Sequence, residues 1–171
     1  MVEASPPPVV VVMGVAGVGK TTVARLLAQR LGAPYAEADD FHPEANIAKM
    51  SAGIPLDDDD RWPWLRQIAE WMSERGREGA GGVITCSALK RRYRDVLRAG
   101  YPDAFFVHLS GDRVLIGDRM SHRAGHFMPT SLLDSQYDIL EPLQPDERGA
   151  VLDVSAGPDE LVAEALRQLG A

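Results

Sequence analysis

The chain of 171 residues carries a single cysteine, Cys86, which excludes an internal disulfide and suits a reducing cytoplasm. No apolar stretch approaches the roughly 20 residues needed to cross a bilayer, so no membrane partner is expected. Positive charge is in deficit: 18 Lys and Arg stand against 25 Asp and Glu, giving a net charge of −7. A phosphate backbone demands clustered cations, which argues against nucleic acid as the main partner. An anionic substrate must then be met by local positive charge. The four histidines show no metal-ligand spacing with cysteine or carboxylate. Low-complexity tracts are missing apart from the prolines at 6–8 and the acidic run 57–60. Residues 1–8 are too short and wrongly flanked for a signal peptide and read as a disordered leader, with 9–171 as one domain.

Against these absences stands one positive signal, Gly14-Val15-Ala16-Gly17-Val18-Gly19-Lys20-Thr21, directly behind the apolar run Val9 to Met13. It fits the G-x-x-x-x-G-K-[ST] phosphate-binding loop, in which glycines let successive N–H groups face a polyphosphate. Lys20 would reach the β and γ phosphates of ATP, and the Thr21 hydroxyl, followed by Thr22, would hold Mg²⁺. A helical pattern starts at Lys20, so its N-terminus faces the anion. A glycine-rich strand-to-helix turn with no ligand is the plainer alternative.

Short apolar runs at 9–13, 34–38, 83–86, 104–109 and 150–154 read as strands. They alternate with helical patterns at 20–31, 61–75, 88–99, 112–121, 130–140 and 158–169, which implies a parallel sheet with right-handed crossovers. Two inserts interrupt the alternation: about 40–60, expected to bind substrate, and about 121–129, expected to form a lid.

Ligands of open α/β sheets lie beyond the carboxyl ends of the strands. After the second strand, Asp39 is the candidate acceptor of a substrate hydroxyl proton, with Glu37 or Asp40 assisting and Asp39 as a further metal contact. After the third strand, Ser87 is placed to cap a helix. Lys90, and more weakly Arg94, suggest substrate contact, whereas Arg91 and Arg92 read as a solvated basic face. In the acidic run, Asp60 is expected to cap the following helix, and Arg61 to clamp a carboxylate with paired hydrogen bonds. Trp62 and Trp64 read as wall residues. Arg119 and Arg123, four apart, would neutralise charge on the transferring phosphoryl group from the lid.

Together the loop GVAGVGKTT and the segments DDFHPEANIAKMSAGIPLDDDDRWPWL at 39–65, CSALKRRYRDVLR at 86–98 and HRAGHFMPTSLLDSQYDILEPL at 122–143 resemble the gluconokinases, over nearly the whole length. The resemblance implies an α/β fold of the shikimate-kinase type: a P-loop kinase three-layer sandwich with a five-stranded parallel sheet, helices on both faces, a substrate-binding insert and a lid. It further implies phosphorylation of the 6-hydroxyl of D-gluconate with MgATP, feeding the pentose phosphate route, and a homodimer. It places Asp39, Arg61, Lys90, Arg119, Arg123, His126 and Gln136 around the site, with His42 and Ser87 as further candidates for substrate contact. Ala16 and Val18 stand where the family more often shows serine, and Ala124 where lysine is expected. A shikimate or nucleoside-monophosphate kinase would share the loop and lid. A GTP-dependent switch is the alternative outside enzymes, weakened because the chain has no Asn-Lys-x-Asp segment to read guanine.

Overall fold

Valine dominates the first strand because that strand lies at the centre of a sheet covered on both faces. A computed structural model of the chain describes residues 7–121 and 130–170. Its five strands, β1 (Val9–Met13), β2 (Tyr35–Glu37), β3 (Gly82–Thr85), β4 (Phe105–Ser110) and β5 (Gly149–Asp153), are parallel in the order β2-β3-β1-β4-β5. Side chains alternate across a strand. Accordingly Val10 and Val12 enter one core with α1 (Lys20–Leu31) and α7 (Pro158–Leu169), while Val9, Val11 and Met13 enter another with α3 (Asp58–Arg77) and α4 (Arg91–Gly100). No residue of β1 has exposed surface, which is why its sequence is an unbroken apolar run. The expected three-layer sandwich is the one observed.

Element ends moved where polar side chains, not apolar periodicity, set them. α3 starts at Asp58, three residues earlier than expected. Asp57 is its N-cap, accepting from the Asp60 N–H while the Asp60 carboxylate accepts from the Asp57 N–H, a reciprocal capping box. Asp60 is therefore the third residue of the helix, not its cap. Likewise α4 begins at Arg91 with Lys90 at the N-cap position, so Ser87 does not cap it. The delay comes from Ala88, held at φ 45, a left-handed conformation that breaks the helical path.

The insert at 40–60 is ordered: a 3₁₀ turn (Ala38–Phe41) leads through Pro43 into α2 (Glu44–Ser51), a helix absent from the sequence reading. Lys49 on α2 grips both Asp60 oxygens at 2.9 and 2.8 Å, and the Asn46 amide donates to the Asp60 carbonyl. These bonds fasten the insert to the start of α3. Of the leader, Pro7 and Pro8 are packed, Pro8 accepting from the Gly82 N–H at 3.1 Å. A side chain at Gly81 would come within 2.7 Å of Pro7. The segment 121–129, expected to form a lid, lies outside the described residues except for Ser121, which ends α5 (Arg113–Ser121) before α6 (Thr130–Ile139).

Candidate active site

The phosphate-binding loop leaves β1 under a tight constraint. Gly14 adopts φ 146, and a Cβ there would stand 2.7 Å from the Leu109 carbonyl oxygen, so only glycine lets the loop cross the tip of β4. Val15 and Val18 point into the core, which leaves the backbone of Ala16, Gly17 and Gly19 as the polar face of the turn. Lys20 donates from Nζ to the Gly14 and Val15 carbonyls at 2.9 and 3.0 Å. Burial pushes its ammonium down to about 8, against the opposing pull of Cys86, Asp39 and Glu37. Cys86 itself is buried, and that burial pushes its thiol up to about 12, so it is no nucleophile.

Thr21 donates to Glu37 Oε1 at 2.8 Å, Thr85 donates to Oε2 at 3.0 Å, and the Tyr35 hydroxyl also bonds Oε1. Burial pushes the Glu37 carboxyl up, but these three donors outweigh it and hold it below its usual range. A charged carboxylate beside the loop hydroxyl is a pair of hard oxygen donors. Among the described residues no cluster of three or more His, Cys, Asp or Glu side chains exists that could cage a metal. A Mg²⁺ ion needs no such cage, since it keeps water and phosphate oxygens with one or two protein ligands. The donor set fits it.

Two hollows adjoin the loop. The smaller, about 250 Å³, is walled by Val18, Gly19, Thr22, Arg119 and the turn 155–158. Arg119 Nη2 donates to the Val154 carbonyl at 2.8 Å, which fixes this guanidinium beside the loop. The larger, about 440 Å³, lies between the insert, α3, α4 and α6. Arg61, Tyr93, Ser87, Ser135 and Gln136 supply its polar wall, with Trp64 and Leu65 among its apolar one. Gln136 joins the two regions, accepting from the Ala16 N–H at 2.6 Å. Ser87 also reaches the loop, its carbonyl accepting from the Gly14 N–H at 3.3 Å.

Other expected site residues are distributed less simply. Asp39 sits on the 3₁₀ turn with an exposed carboxylate, 3.9 Å from His42 Nε2. The His42 ring stacks on Trp64 at 4.3 Å and is bonded to Asn46, so it builds the wall behind the cavity. Burial lowers its pKa. Lys90 stands at the N-cap of α4 with Nζ 5.6 Å from the centre of the Tyr93 ring. Arg94 does not make the substrate contact expected of it. Its side chain has no exposed surface and pairs with buried Glu147 at 2.7 Å, while Nη1 donates to the Ala88 carbonyl at 2.8 Å. It cannot touch substrate; it braces the turn that forms the cavity floor. Arg91 is engaged by Asp146 and Gln144 and Arg92 by Asp58, all in surface contacts, and the Arg92 side chain is 53% exposed, so the solvated basic face expected there is present with its charges paired. Arg123 and His126 lie outside the described residues. Tyr93 and Glu147 were missed, because no sequence spacing links either to the loop.

Residues 16–137 match the shikimate kinase family. The chain is 47% identical over 165 residues to the gluconokinase of Gluconobacter oxydans, an alignment covering 96% of this chain and 93% of that protein. The chain belongs to the gluconokinase family. A solved gluconokinase from Sinorhizobium meliloti superimposes with a TM-score of 0.88 at 46% identity, covering 98% of this chain and 94% of that one. A sugar kinase from a Janibacter species gives 0.90 at 56% identity, with 96% and 95% covered. These alignments take in the insert and the Arg61 cavity as well as the phosphate-binding loop.

Proposed function

We propose that this gluconokinase-family chain transfers the γ-phosphoryl group of ATP to the 6-hydroxyl of D-gluconate, releasing ADP and 6-phosphogluconate. The observation that carries the reading is Gln136, which bonds the phosphate-binding loop at Ala16 while lining the cavity that holds Arg61 and Ser87. Donor loop and acceptor cavity thus share a wall, as in-line transfer between two bound substrates requires. The backbone of 14–19 cradles the triphosphate, with Lys20 swinging from its carbonyl partners to the β and γ phosphates. The base occupies the hollow beside Thr22 and Arg119. Mg²⁺ would be held by Thr21 with Glu37, or Asp39, next to it, and when bound it neutralises charge on the phosphates.

Arg61 and Lys90 bring cations to an otherwise acidic molecule and meet the gluconate carboxylate, and Ser87 and Gln136 supply hydrogen bonds for its hydroxyls. Asp39 accepts the proton of the attacking 6-hydroxyl. Arg123 and His126 complete the site from the lid. Cytoplasmic action with a reduced Cys86, and a homodimer, accompany this reading; light scattering on the purified protein tests the latter. The decisive experiment is a coupled ADP-release assay across gluconate, shikimate, hexoses and nucleoside monophosphates. Gluconate should be turned over at least a hundredfold more efficiently than the rest. Preference for any other acceptor overturns the proposal.

A further inference from the structure

Tyr93 occupies an unusual position in the substrate cavity. It lies in the first turn of α4, is almost fully buried, and stands between two opposite charges of the neighbouring helix α3. Its hydroxyl accepts from Arg61 Nη1 at 2.9 Å and donates to Asp58 Oδ1 at 2.6 Å. Arg61 Nη1 and Asp58 Oδ1 stand 3.8 Å apart, within ion-pair range but too far for a hydrogen bond, at a three-residue helical spacing that lets an aspartate and an arginine bond directly when nothing intervenes. The other Asp58 oxygen is engaged by Arg92. Around the Tyr93 ring stand three cations, Arg61 at 5.4 Å, Lys90 at 5.6 Å and Arg92 at 5.8 Å. Among the described residues the Arg61 side chain donates no hydrogen bond other than the one to Tyr93.

We propose that Tyr93 is a positioning residue that keeps Arg61 from closing onto Asp58, and so sets the affinity of the cavity for an acceptor's carboxylate. The inference rests on the gluconate reading and deepens it. A guanidinium binds a carboxylate best through two parallel N–H donors. An internal carboxylate three residues away competes for those donors at a high effective concentration. The phenol satisfies both sides at once: it gives Asp58 a proton donor and gives Arg61 a neutral acceptor that uses one nitrogen. The remaining donors of Arg61 stay available to the cavity. The Tyr93 hydrogen bond, helped by Arg92 and Lys90 against a smaller effect of burial, also holds the Asp58 carboxyl below its usual range, as expected for a carboxylate already satisfied without Arg61. The ring contributes separately, since its face attracts the cations gathered there.

Removal of the hydroxyl alone tests the idea, because Tyr93→Phe keeps the ring, its packing against Trp62 and its cation contacts. Asp58 and Arg61 then lose their shared partner and pair with each other. The KM for gluconate should rise about tenfold or more, with kcat within about threefold and the KM for ATP unchanged. Adding Asp58→Asn to Tyr93→Phe removes the competing charge and should bring the gluconate KM back to within about threefold of the parent protein. A purely structural role for Tyr93 predicts no such recovery. An unchanged KM in the single variant, or a double variant no better than the single, overturns the proposal. Parent protein that phosphorylates neutral polyols as well as gluconate overturns the substrate reading and this inference together; gluconate preference with immobile variants overturns this inference alone.

Discussion

Arg94 and Glu147 form an ion pair in which neither side chain retains any exposed surface. Glu147 receives Arg94 Nε at 2.7 Å and Nη2 at 3.0 Å, Arg98 Nη2 at 2.8 Å, and the Gln144 N–H at 2.8 Å. Through the Ala88 carbonyl the pair reaches the left-handed turn in the cavity wall. The same segment is bolted on by the Glu141 N–H, which donates to the Leu89 carbonyl at 2.6 Å.

Glu147→Gln keeps the shape and removes the charge, leaving two arginines facing a neutral amide. The expected loss is about 3–5 kcal/mol of folding stability, read from urea denaturation, because an uncompensated buried charge is costly. An apolar double replacement, Arg94→Met with Glu147→Leu, should lose less than the single variant. A loss below about 1 kcal/mol in Glu147→Gln contradicts the role given to the pair.

His108 on β4 makes stability acid-sensitive. Burial, aided by the charge of Arg94, pushes its imidazole down to about 4 from 6.5, and Nδ1 has no partner among the described residues. The unfolded chain therefore takes up a proton between pH 6.5 and 4 that the folded chain refuses. Stability is full above 6.5 and falls by up to about 3 kcal/mol as pH drops to 4. For Glu147, burial pushes the carboxyl up, but its donors bring it down to about 2; this second contribution is present above pH 4.5 and is lost toward 2. His108→Gln should flatten the upper window and leave the lower one, as measured by thermal melts at a series of pH values.

Asp39→Asn should lower kcat by about two orders of magnitude or more while ATP affinity is kept, since the amide cannot accept the hydroxyl proton. Steady-state kinetics and nucleotide titration separate the two. Unchanged turnover removes Asp39 from the mechanism.

Lys20→Ala should abolish turnover, and near-normal activity would be incompatible with a working phosphate loop. Glu37→Gln weakens the acceptor beside Thr21, so half-saturation by Mg²⁺ of nucleotide binding should rise about tenfold, read by equilibrium titration in the absence of acceptor. A Mg²⁺ dependence that does not move assigns Glu37 to the fold alone.

Much of this was legible in the chain because it is local. The glycines at 14, 17 and 19 and the valines of β1 carry their own conformational demands, and strand and helix periods write the parallel α/β order directly. Boundaries were less legible where side chains competed with periodicity: Asp57, not Asp60, caps α3, since only the fold shows which of four adjacent aspartates turns back on the chain.

The sequence by itself determined the nucleotide loop, the sheet it hangs from and the family, since each rests on residues adjacent in the chain or repeated at a fixed period. Only the tertiary structure decided which charges face the cavity and which are buried in pairs. Arg61 and Arg94 look alike in the chain, yet one opens onto the acceptor hollow and the other is locked to Glu147, 53 positions away. Charge pairing over such distances is settled by packing, because burial makes an unmatched charge costly and no local pattern records its partner.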